Sequence, residues 1–85
     1  MRHMNIQLIL GEFIPSDALD LIASMINMKI KFHEGKISNE SQEEDVKYRE
    51  TRIKSLQREL YELKKMADSG NGNLTLKANI EVISK

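Results

Sequence analysis

Apolar and polar positions along the chain change period from one stretch to the next, and each change marks an element. From Asn5 to Leu10 they alternate, with Ile6, Leu8 and Leu10 on one side and Asn5, Gln7 and Ile9 on the other. A period of two is that of a strand with one buried face. Gly11 is expected to end it. From Pro15 to Gly35 the steps become three and four. Leu19, Ile22, Ile26, Ile30 and His33 stack along one line, and Ala18, Leu21, Met25, Met28 and Phe32 along the next. This predicts a helix over 15–35 whose apolar stripe is too wide for one neighbour and implies contacts on two sides. Pro15 suits the first turn, with the cap open between Ile14 and Ser16. Asp17 and Asp20 sit near the positive end of the helix dipole, and Lys29, Lys31 and Lys36 near the negative end. Phe13 is expected to staple the first turn, and Gly35 to supply a left-handed stop.

Ser41 followed by Glu44 has the spacing of a capping box and starts a second helix over 42–67. Its apolar face is narrow. Val46, Ile53, Leu56, Leu60, Leu63 and Ala67 form a single seam of a and d positions, interrupted by Arg49. Glu43–Lys47, Asp45–Arg49, Glu50–Lys54 and Arg58–Glu62 are spaced to pair one turn apart, each worth roughly 0.2–0.5 kcal/mol. Asp68 to Asn73 carries glycines and asparagines that stop the helix. Leu74, Leu76, Ala78, Ile80 and Val82 then alternate with Thr75, Lys77, Asn79, Glu81 and Ile83, which predicts a strand over 74–83. The order β-α-α-β makes residues 1–85 a single α+β domain. An antiparallel helical hairpin packs on one face of a small antiparallel sheet.

This arrangement predicts a homodimer. A strand of six residues spans roughly 20 Å and one of ten roughly 33 Å, so the last strand should overhang. A lone two-stranded ribbon is marginal and has two open edges. A second copy would close an edge into a four-stranded sheet, and the surplus apolar surface of the first helix points the same way. Met25, Met28, Phe32, His33, Leu76 and Ile80 are the candidate interaction residues. The plainer alternative is that they complete a monomeric core.

Composition narrows the function classes. Thirteen basic residues balance thirteen acidic ones, which argues against a general attraction to nucleic acid or anionic lipid. There is no cysteine, hence no disulfide framework and no thiolate metal site. No apolar run reaches the roughly 18 residues of a membrane span, and the first residues lack a signal-peptide pattern, so a cytoplasmic protein is expected. The His3-Met4 pair is compatible with a remnant of cloning, in which case Met4 would be the natural initiator, and His3 is poor evidence for a site.

Candidate chemistry is sparse. His33 could carry a proton or hold a metal, but no further ligands stand at a suitable spacing. A histidine completing a helix end is the better reading. Glu40, Glu43, Glu44 and Asp45 could hold a cation, yet acidic residues at a helix start ordinarily compensate the dipole. Lys47, Lys54, Arg58 and Lys65, with Tyr61 among them, form a basic line that could bind nucleic acid weakly. The acidic residues beside it favour an ordinary solvated face. Gly70-Asn71-Gly72 lacks the lysine and helix of a phosphate loop. No catalysis and no cofactor is expected.

One resemblance rests on two motifs, Gly11-Glu12-Phe13-Ile14-Pro15 and Lys29-Ile30-Lys31-Phe32-His33-Glu34. A strand, G-E-F-x-P, an amphipathic helix and K-I-x-F-H-E are similar to short bacterial proteins of uncharacterised function. The resemblance covers the first 35 or so residues and implies no activity. It raises Lys29–Glu34 as a shared contact surface. The function expected is that of a small self-associating interaction or accessory protein, with an unidentified protein partner as a further possibility.

Overall fold

The computed structural model describes residues 2–38, 42–70 and 72–85. Four elements follow in order: β1 (His3–Phe13), α1 (Pro15–Lys36), α2 (Glu43–Asp68) and β2 (Leu74–Ile83). The strands form a two-stranded antiparallel sheet, and the helices form an antiparallel hairpin. This is the expected β-α-α-β architecture.

The sheet differs from expectation in two ways. Gly11 does not end β1, which runs on to Phe13 with Gly11 opposite Leu76 and Phe13 opposite Leu74. The strands therefore match in length, at 11 and 10 residues, and the overhang inferred from unequal strands does not exist. Second, the ladder slips between Gln7 and Ile9, so Leu8 has no partner of its own. A bulge of this kind places two consecutive side chains where one would stand. It moves Ile9, rather than Leu10, onto the inner face opposite Ala78. Ile9 is accordingly 8 % exposed, while Leu10 lies on the outer side opposite Lys77. Ile6 opposite Ile80 and Met4 opposite Val82 continue the inner apolar face. The outer face pairs Asn5 with Glu81, Gln7 with Asn79 and Glu12 with Thr75. The ribbon is closed at its far end by Ser84 N–H donating to Arg2 O at 2.9 Å and Arg2 N–H donating to Ser84 Oγ at 2.7 Å.

Helix α1 starts at Pro15, with Ile14 as the extended cap, and its Ala18 N–H donates to Ile14 O at 3.0 Å. No side chain caps it. Gly35 lies inside the helix instead of ending it, and Ile37 N–H closes the last turn on Glu34 O at 3.2 Å. Helix α2 begins one residue later than expected, capped by Gln42 in extended conformation. The expected Ser41 cap lies outside the described residues. Of the predicted ion pairs, Lys47–Glu43 and Arg49–Asp45 close at 3.3 Å each, and the other two do not among the described residues. At its end Ser69 Oγ donates to Met66 O at 2.6 Å. Gly70 and Gly72 then take φ of +71° and +95°, a conformation that only glycine enters without strain, and turn the chain into β2.

The helices meet along the line that the sequence marks, with Ile30, His33 and Leu56 buried. Leu56 lines a hollow with Ile9 and Leu76 of the sheet and Ile22 and Ile26 of α1. Helices and sheet approach closely only along a short stretch. Ile9, Ala18, Ile30 and Leu56 are the buried apolar residues among those described. The half of the inner sheet face toward the ribbon tip, with Met4, Ile6, Ile80 and Val82, is left bare. The chain is a slab, 47 × 34 × 14 Å. Its radius of gyration of 15.9 Å exceeds the roughly 12 Å of a compact chain this long.

Candidate interaction surface

Two apolar lines run along α1 because residues at steps of three and four return to one face every two turns. The line through Ile22, Ile26, Ile30 and His33 packs toward α2 and the sheet. The second, Leu21, Met25, Met28 and Phe32, lies along the flank of α1 above β1. Met28 is 72 % exposed and Phe32 50 %. A trough follows this flank. Phe13 and Leu21 line its first part, beside Asp17 and Asp20. Leu8, Ile9 and Met25 line the middle. Leu8, Met28, Phe32 and Ile80 then wall an open hollow of about 610 Å³. Lys29 Nζ stands 4.8 Å and Lys36 Nζ 5.6 Å from the Phe32 ring centroid, a cation–π distance, so that end of the trough is basic. The opposite end, at Asp17 and Asp20, is acidic.

The structure therefore brings Met25, Met28, Phe32 and Ile80 of the candidate interaction residues to one surface. Leu76 stands apart, half-buried beneath the helices in the hollow next to Ile22 and Leu56. The trough's floor residue, Leu8, follows from alternation, which places it on the face of Ile6. The bulge then adds Ile9 to that face, and the uninterrupted apolar run Leu8-Ile9-Leu10 is the signal that alternation fails beyond Leu8.

His33 lies around the corner, 4 % exposed, where the end of α1 meets the start of α2. Its Nδ1 is 3.2 Å from Arg49 Nη1, and Arg49 Nε is held 3.3 Å from Asp45 Oδ2. The guanidinium has only donors, so the imidazole accepts through Nδ1 and its proton resides on Nε2. Nε2 is buried with no acceptor in reach among the described residues. Phe32 and Tyr48 meet the ring edge-on at centroid distances of 5.7 and 6.4 Å. Arg49, which interrupts the apolar seam of α2, thus has a partner across the hairpin. Burial, with Lys29, Arg49 and Arg52 nearby, lowers the His33 pKa below 6.5. The unfolded chain then binds the proton more readily than the folded one. The contribution is fully present above pH 6.5 and is lost as pH falls through the lowered value. Urea midpoints should drop between pH 7 and pH 5, and His33→Leu should flatten that drop. An unchanged slope in the variant would assign the titration elsewhere. Among the described residues no three His, Asp or Glu side chains converge on a metal-sized site.

The basic line of α2 is mixed rather than uniform. Lys47 is paired with Glu43, and Lys65 Nζ stands 5.0 Å over the Tyr61 ring. Arg58 and Lys65 share their hollow with Glu59 and Glu62. Lys54 is exposed. Of the acidic group at the start of α2, Glu43 and Asp45 form ion pairs within the helix, and Glu40 lies outside the described residues.

No family model, curated protein or solved structure matches this chain. Among the described residues no helix is long and apolar enough to cross a membrane. The surface itself is the remaining guide to function.

Proposed function

We propose that this chain is a self-associating interaction module of the cytoplasm, working by the surface it presents and not by catalysis. The observation that carries the reading is area. The chain exposes 6969 Å². A compact monomer of 9.8 kDa exposes about 5,200 Å², roughly 1,800 Å² less. Two copies thus carry a combined surplus of about 3,600 Å², inside the range of obligate dimers. Much of the surplus is apolar: the trough along α1 and the bare half of the sheet face are built from leucine, isoleucine, valine, methionine and phenylalanine. A small chain without disulfides gains most from covering such surface with a second copy. Zero net charge leaves no long-range repulsion between copies.

Sedimentation equilibrium tests the reading. A mass of twice 9.8 kDa is expected at micromolar concentration, together with a melting temperature that rises with protein concentration. A 9.8 kDa species persisting to millimolar concentration would refute self-association. The mixed charges around the α2 lysines give no comparable support to nucleic-acid binding.

A further inference from the structure

We infer that the partner of the α1 trough is the α1 of a second copy, laid antiparallel across a two-fold axis near Ile26 and Asn27. This deepens the self-association reading and rests on it. Leu21, Met25, Met28 and Phe32 are spaced four, three and four apart. That is the step pattern of a helix–helix seam, and α1 already fills its other apolar line with α2 and the sheet. The seam spans about 16 Å. It is exposed over its length except at half-buried Met25.

Direction follows from charge. One end of α1 carries Asp17 and Asp20, and the other carries Lys29, Lys31 and Lys36 around a single Glu34. An antiparallel pair centred on the seam sets Leu21 against Phe32 and Met25 against Met28. The acidic end of each copy then lies along the basic end of the other. A parallel pair would set like charges together at both ends. A two-fold axis makes the surface self-complementary, as an isologous dimer requires. The free edge of β1 is the poorer alternative for pairing, because the bulge at Leu8 interrupts its ladder.

The chain has no cysteine, so introduced thiols report one contact at a time. Leu21→Cys and Phe32→Cys alter exposed side chains, and circular dichroism shows whether each variant keeps its fold. Mixing the two under mild oxidation should give the mixed disulfide as the main product, with little self-linking of either. Self-linking of Leu21→Cys would establish a parallel pair and overturn the inference. A wild-type dimer in which the mixed disulfide does not form, or in which Asn79→Cys links to itself along the β2 edge, would overturn it while leaving self-association intact. A wild-type monomer would remove both. A second measurement uses the unaltered chain. Carbodiimide coupling of a mixture of isotopically light and heavy copies should join Asp17 or Asp20 of one copy to Lys29 or Lys36 of the other. Links between copies confined to α2 or β2 would overturn the inference.

Discussion

Met28→Glu should abolish the proposed dimer and leave a folded monomer. The side chain is 72 % exposed on the single chain, and glutamate is as good a helix former as methionine, so the lone chain loses little. Across the proposed seam the same position faces Met25 of the partner, with the second Met28 close to the axis. A carboxylate there would lose most of its water against the partner's Met25, with Lys29 at the rim as the nearest cation, and the two copies' carboxylates would approach each other near the axis. A buried charge without a full partner costs about 3 kcal/mol, which weakens association by roughly 10²-fold. Sedimentation velocity against concentration checks this. Met28→Leu, which keeps the apolar seam, should remain dimeric. A Met28→Glu protein that dimerises as tightly as the native chain would place the contact elsewhere. The melting temperature gives an independent reading: it should rise with concentration for the native chain and stay flat for the variant.

Leu56→Ala should be the most damaging single truncation on α2. At 7 % exposure, Leu56 is the buried apolar residue of that helix, and it lines the hollow between the helices and the sheet together with Ile9, Ile22 and Leu76. Removing buried methyl groups loses their transfer free energy and leaves a cavity that a thin core closes only in part, for about 2–5 kcal/mol. A chain of this length has roughly 4–13 kcal/mol in total, so the variant should lose a large fraction of its stability. The urea midpoint should fall with little change in slope. Met66→Ala, at an exposed position on the same helix, should stay within about 0.5 kcal/mol of the native protein. A Leu56→Ala loss below about 1 kcal/mol would mean that the helices and sheet are not held together there.

Both predictions depend on which faces are covered, and the sequence reveals that unevenly. The helices are legible because period and punctuation agree. Pro15 opens α1, the glycines after Asp68 close α2, and the seam from Val46 to Ala67 is the less exposed side of α2, the helix that packs on α1. The second apolar line of α1 is legible as well, since a stripe of that width needs two neighbours. What cannot be read is how much of that stripe α2 and the sheet leave exposed, as they do at Leu21, Met28 and Phe32. His33 shows the same division. Its place on the apolar line is visible in the spacing, whereas Arg49 as its partner is not. Arg49 reads as a break in the α2 seam until the hairpin sets it 3.2 Å from the imidazole.

β1 is where local reasoning fails, for a definite reason. Alternation assigns faces only while the ladder is regular, and one unpaired residue inverts every assignment beyond it. The bulge at Leu8 moves Leu10 outward and brings Ile9 into the core, while Leu8 keeps the face that alternation assigns it and lines the trough. The strand also continues through Gly11 to Phe13, which equalises the two strands and removes the overhang as a reason for pairing.

The amino-acid sequence by itself determined the four elements, their order and the antiparallel hairpins, because those follow from periodicity and from residues that start or stop a helix. Only the tertiary structure decided how far the helices cover the sheet, which residue the bulge releases, and that a second seam on α1 is left open. Those outcomes depend on the register between strands and on the distance between layers, and neither is encoded in any single stretch of chain.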